Sequence, residues 1–81
     1  MTPRSILVVE DESVVAQDIQ ASISRIGHEV AGWATTAEEA IALAEEHHPD
    51  LVLMDIRLSG EIDGITAAEQ IRQSFDIPVI F

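Results

Sequence analysis

The residues best suited to chemistry in this chain are two groups of carboxylates, each following a short apolar run. Glu10-Asp11-Glu12 follows Ile6-Leu7-Val8-Val9, and Asp55 follows Leu51-Val52-Leu53-Met54. Uninterrupted apolar runs of this length suit strands buried on both faces, as in a parallel sheet. If the two strands are parallel neighbours, their C-terminal ends bring three or four carboxylates to one rim. Like charges so placed repel one another unless a cation lies between them, and hard oxygen donors suit Mg²⁺. The chemistry this implies is metal-dependent and handles phosphate.

The elements that must position these groups alternate strand and helix. After the first strand, Ser13 is expected to cap a helix reaching about Ile26, with Val15, Ile19, Ile23 and Ile26 on one face and Gly27 as its stop. Glu29 to Ala34 reads as a second strand, weakly alternating as near a sheet edge. Thr36-Ala37-Glu38-Glu39 has the form of a capping box. It opens a second helix with Ala40, Ile41, Leu43 and Ala44 inward, which ends at His47-His48-Pro49-Asp50. Beyond Asp55 comes a loop, Ile56 to Ile62, that contains Ser59-Gly60. Asp63 is then expected to cap a third helix with Ile65, Ala68, Ile71 and Phe75 inward, and Val79-Ile80-Phe81 reads as a fourth strand. Helices between strands imply right-handed crossovers and a parallel α/β sheet. In a flavodoxin-like order, 2-1-3-4, ligands bind where strands 1 and 3 diverge, and these are the two strands followed by the carboxylates.

Eighty-one residues allow a single domain, 1–81, with a thin core. A hydrophobic content of 47% is that of a folded protein. Fifteen acidic residues against four arginines and no lysine give a net charge of −11, which argues against nucleic acid and anionic membrane as direct partners. There is no cysteine, so disulfides and thiolate metal sites are excluded. No run approaches the roughly 18 apolar residues of a membrane span, and no signal peptide is visible, so a cytoplasmic location is expected.

Three motifs in order, Ile-Leu-Val-Val-Glu-Asp-Glu at 6–12, Pro-Asp-Leu-Val-Leu-Met-Asp at 49–55 and Asp-Gly-Ile at 63–65, resemble the receiver domain of two-component response regulators. The resemblance runs over essentially the whole chain. It implies that Asp55 accepts a phosphoryl group from a sensor histidine kinase or phosphotransfer protein. It further implies that Glu10, Asp11 and Asp55 hold Mg²⁺, together with the backbone carbonyl of Arg57. The domain would not be a turnover enzyme: phosphoryl transfer needs a nucleophile and cationic charge, and the acyl phosphate on Asp55 is the signal.

The chain also departs from the family pattern. Ser59 stands where a proline is usual. The threonine or serine after strand 4 and the lysine after strand 5, both of which reach the phosphoryl group, have no counterpart, nor do helix 4, strand 5 and helix 5. The expectation is therefore an incomplete receiver whose strand 4 is an unpaired apolar edge, open to homodimerisation or domain swapping. An alternative is a receiver-like interaction module or fragment that takes no phosphate. An aspartyl phosphohydrolase is disfavoured because Arg57 occupies the place of its second acid. A flavin protein of this fold is disfavoured because three acids follow strand 1 in place of a Ser/Thr-rich phosphate loop. Glu12 reads as a helix-dipole partner, Trp33 as a packing residue, and His28, His47 and His48 as helix-end residues without a ligand role.

Overall fold

A computed structural model describes residues 2–58 and 62–81. The elements run β1 (Ser5–Val9), α1 (Ser13–Arg25), β2 (Glu29–Ala34), α2 (Ala37–His47), β3 (Leu51–Met54), α3 (Gly64–Phe75) and β4 (Val79–Ile80). The four strands form one parallel sheet in the order β2-β1-β3-β4. Leu7, Val8, Val9 and Val52 are fully covered, as central strands under helices on both faces require. On one face α2 and α3 bury Leu7, Val9, Val52 and Met54 with Ala40, Ala44, Ala67 and Ile71. On the other, α1 covers Ile6 and Val8 through Ile23, with Ile19, Trp33 and Leu53 partly buried around them.

The start of the sheet is held by a reciprocal tie. The Asp50 carboxylate accepts the Ser5 N–H at 2.8 Å, and the Ser5 carbonyl accepts the Asp50 N–H at 2.8 Å. This sets β1 and β3 in step, so that Val9 lies beside Met54 and both strands end level with each other. Their carboxylates therefore emerge at one rim.

Several local expectations need correction. Ser13 does not cap α1. Glu12 holds that position without a side-chain cap bond, and Ser13 is the first helical residue. The inward stripe of α1 is Ala16, Ile19 and Ile23, whereas Val15 and Ile26 are exposed. Ala16 is fully buried, and Val15, one residue before it, is turned about 100° from it around the helix. In α3, Ile65 is likewise exposed, while Gly64, Ala67, Ala68 and Ile71 face inward. The capping box is only half formed. Thr36 accepts the Glu39 N–H at 3.1 Å, but the Glu39 carboxylate reaches back to the N–H of Thr35. Gly27, at φ +91°, ends α1 as expected: it donates to the Ser24 carbonyl while His28 donates to that of Ile23. The Ser59-Gly60 part of the long loop lies outside the described residues.

Candidate metal and phosphoryl site

Glu10, Asp11 and Asp55 offer carboxylate oxygens that all lie within 4.8 Å of one another. Glu10 is nearly covered, Asp11 is exposed and Asp55 is half-buried. Asp55 is set by its own N–H, which donates to the Val9 carbonyl at 2.9 Å and continues the β1–β3 ladder by one bond. Its Oδ1 accepts the Arg57 N–H at 3.0 Å, which folds the chain tightly after the strand. Arg57 itself is exposed.

The Glu10 side chain accepts the Glu12 N–H at 3.2 Å. Burial pushes the Glu10 carboxyl above its ordinary range. The Glu12 N–H pulls back, and the charge of Asp55 with hydrogen bonds to Asp11 and Asp55 pushes up again. A carboxylate destabilised by its neighbours in this way is relieved by a cation. The donors are oxygens only, so the set fits a hard divalent ion such as Mg²⁺.

Two further residues lie against the backbone of this cluster: Trp33, which reads in the sequence only as a packing residue, and Gly64, which belongs to the Asp-Gly-Ile motif. Trp33 packs partly buried on the α1 face, and its indole N–H donates to the Glu10 carbonyl at 2.8 Å. Gly64 opens α3 directly against the segment that carries Asp55: a Cβ there would come within 2.6 Å of the Asp55 carbonyl and 3.3 Å of the Ile56 Cα. Only glycine allows that approach. Asp63, just before it, caps α3 by accepting the Thr66 N–H at 2.7 Å. The signal for Gly64 is its place in the Asp-Gly-Ile motif, after a helix-capping aspartate, and for Trp33 its being the only tryptophan, in the strand read as β2.

A cleft of about 460 Å³ at this rim is lined by Glu10, Asp55 and Arg57 together with Ile19, Ile80 and Phe81. The histidines lie elsewhere: His28 Nδ1 accepts the Arg4 N–H, His47 lies 3.9 Å from Glu46, and His48 meets Phe75 edge-on. Among the described residues, no helix is long and apolar enough to cross a membrane.

A parallel 2-1-3-4 sheet with acids at the ends of its two central strands defines a receiver-type α/β domain. A family model described as the response regulator receiver domain matches residues 6–81, and the chain belongs to that family. It is 40% identical over 77 residues to the phyllosphere-induced regulator PhyR of Methylorubrum extorquens, covering 94% of this chain and 29% of that protein. It is 38% identical over 78 residues to the transcriptional regulatory protein PdtaR of Mycobacterium tuberculosis, covering 96% and 38%. The response regulator PhyR from Brucella abortus superposes with a TM-score of 0.91 at 41% identity, over 99% of this chain and 33% of that one. The chain thus spans about a third of the length of the relatives it matches.

Proposed function

We propose that this domain is a phosphoacceptor, with Asp55 the nucleophile and a sensor histidine kinase or phosphotransfer protein the donor. An Asp55 carboxylate oxygen attacks the phosphorus of the donor's phosphohistidine. A P–O bond forms, the P–N bond breaks, and the leaving imidazole takes up a proton. Glu10, Asp11, Asp55 and the backbone carbonyl of Arg57 would hold Mg²⁺. When bound, the ion offsets the negative charge of the carboxylates and of the arriving phosphoryl oxygens. The observation that carries the reading is the convergence of the Glu10, Asp11 and Asp55 oxygens within 4.8 Å. The half-burial of Asp55 leaves the nucleophile reachable from solvent.

The test is intact mass after incubation with Mg²⁺ and acetyl phosphate, with Asp55→Asn alongside. One phosphoryl adduct on the wild type, absent from the variant and lost on adding a chelator beforehand, is the expected result. A folded wild type with no adduct would overturn the proposal.

A second reading, a protein-interaction module that takes no phosphate, draws on a solved relative. One solved relative, PhyR from Bartonella quintana, is a co-crystal with the anti-sigma factor NepR. A protein partner of that kind is compatible with either reading, and the adduct experiment separates them.

A further inference from the structure

We infer that Trp33 is a positioning residue for the carboxylate cluster, its indole N–H holding the acidic turn in the shape a divalent cation needs. The inference rests on the Mg²⁺ reading of that cluster and names the residue on which its geometry depends.

The argument begins in the register of β2. Ser5 and Ile6 pair with Glu29 and Val30, but Leu7 then pairs with Gly32, so the ladder slips by one residue at Ala31. Without the slip, Trp33 would lie opposite Val9. With it, Trp33 lies opposite Val8, and both side chains belong to the cluster on the α1 face. A bulge in a strand re-aims the side chains that follow it, and this one brings an indole to the rim where β1 ends.

There the indole completes a pair of ties on one residue. The Glu10 N–H donates to the Ala34 carbonyl at 2.9 Å, and the Glu10 carbonyl accepts from Trp33 Nε1 at 2.8 Å. The peptide planes on both sides of the Glu10 Cα are therefore held by β2, one by backbone and one by side chain. Holding the second plane sets where the chain turns toward Asp11. With both planes fixed, the Glu10 side chain leaves the backbone in one direction, toward Asp11 and Asp55. Ring packing alone would fill space on the α1 face without fixing that plane. The N–H makes the indole more than filler, because it directs a partly buried donor at the one carbonyl that links two of the proposed ligands.

Trp33→Phe keeps an aromatic ring on the α1 face and removes only the donor. Mg²⁺ affinity of the 81-residue chain and of this variant, by isothermal titration calorimetry with thermal melts on the same samples, tests the inference. The expected result is a Kd raised roughly three- to tenfold in the variant, the worth of one hydrogen bond, with a melting midpoint within a few degrees of wild type. Equal affinities would overturn the positioning role and leave the Mg²⁺ reading standing. A wild type that binds no Mg²⁺ would overturn both. If the variant does not fold, the wild-type indole N–H resonance decides instead. It should shift on Mg²⁺ titration with the same midpoint as the Glu10 and Asp11 amides, and an unmoved indole proton would overturn the inference.

Discussion

Glu10 concentrates the electrostatic tension of the molecule. It is a nearly covered carboxylate facing two others, and its raised pKa reports that ionisation is unfavourable there. Without a cation, removing its charge should stabilise the fold, since like charges this close repel by about 1 kcal/mol even when well solvated. Glu10→Gln is therefore expected to raise the melting temperature of the metal-free protein by a few degrees. The same variant should lose most of its response to Mg²⁺. Melts with and without millimolar Mg²⁺ check both halves, and a variant less stable than wild type in a chelator would contradict the account. Asp55→Asn should abolish the phosphoryl adduct while leaving the fold intact, because the amide keeps the size of the side chain and an oxygen able to accept from the Arg57 N–H.

At the scale of elements, the start of α3 is the device that seats the segment carrying Asp55. Gly64 lies where any Cβ would press on the Asp55 carbonyl, so Gly64→Ala must displace either the helix or the strand end. A loss of about 1–3 kcal/mol in urea unfolding is expected, as for other overpacked sites, together with weaker Mg²⁺ binding. Unchanged stability would show that the approach relaxes freely. Asp63 supplies the other hold on that helix end. The Thr66 N–H it caps lowers its pKa below the ordinary 3.8. A carboxyl lowered on folding binds fewer protons in the native state. Its stabilisation is therefore present above pH 3.8 and lost as the pH falls through the lower folded value. Acid unfolding monitored by circular dichroism should begin at higher pH in Asp63→Ala, which lacks the cap throughout.

At the scale of the whole molecule, the amount of exposed surface is ordinary and its distribution is not. The accessible area of 4817 Å² is close to the roughly 4,800 Å² expected of a compact chain of 8.8 kDa. Yet in the 81-residue chain Ile80 and Phe81 are half exposed, β4 pairs among the described residues only with β3, and both residues line the cleft that Asp55 also lines. A free strand edge beside apolar side chains favours pairing with a second copy. Gel filtration of the 81-residue chain should show concentration-dependent association that Ile80→Lys reduces. A monomer at every concentration would count against it. The net charge of −11 opposes such contacts, so association should strengthen as salt is raised.

Much of this could be read from the sequence by itself, because the signals are local. Apolar runs marked β1 and β3, and the acids just after them marked the rim. Gly27, Thr36 and Asp63 announced helix ends through bonds that span only a few residues. The alternation of strands and helices implied a parallel sheet with right-handed crossovers, and the order 2-1-3-4 came with the likeness to a flavodoxin-like fold. What only the tertiary structure decided involves residues far apart in the chain. Which stripe of α1 and α3 faces inward depended on small residues, Ala16 and Ala67, that let a helix approach the sheet, so Val15, Ile26 and Ile65 were turned out to solvent. The register slip at Ala31 sends Trp33 to the carbonyl of Glu10, and the seat of Gly64 lies against Asp55. Neither contact leaves a trace in local periodicity, because each is set by where two separately formed elements meet.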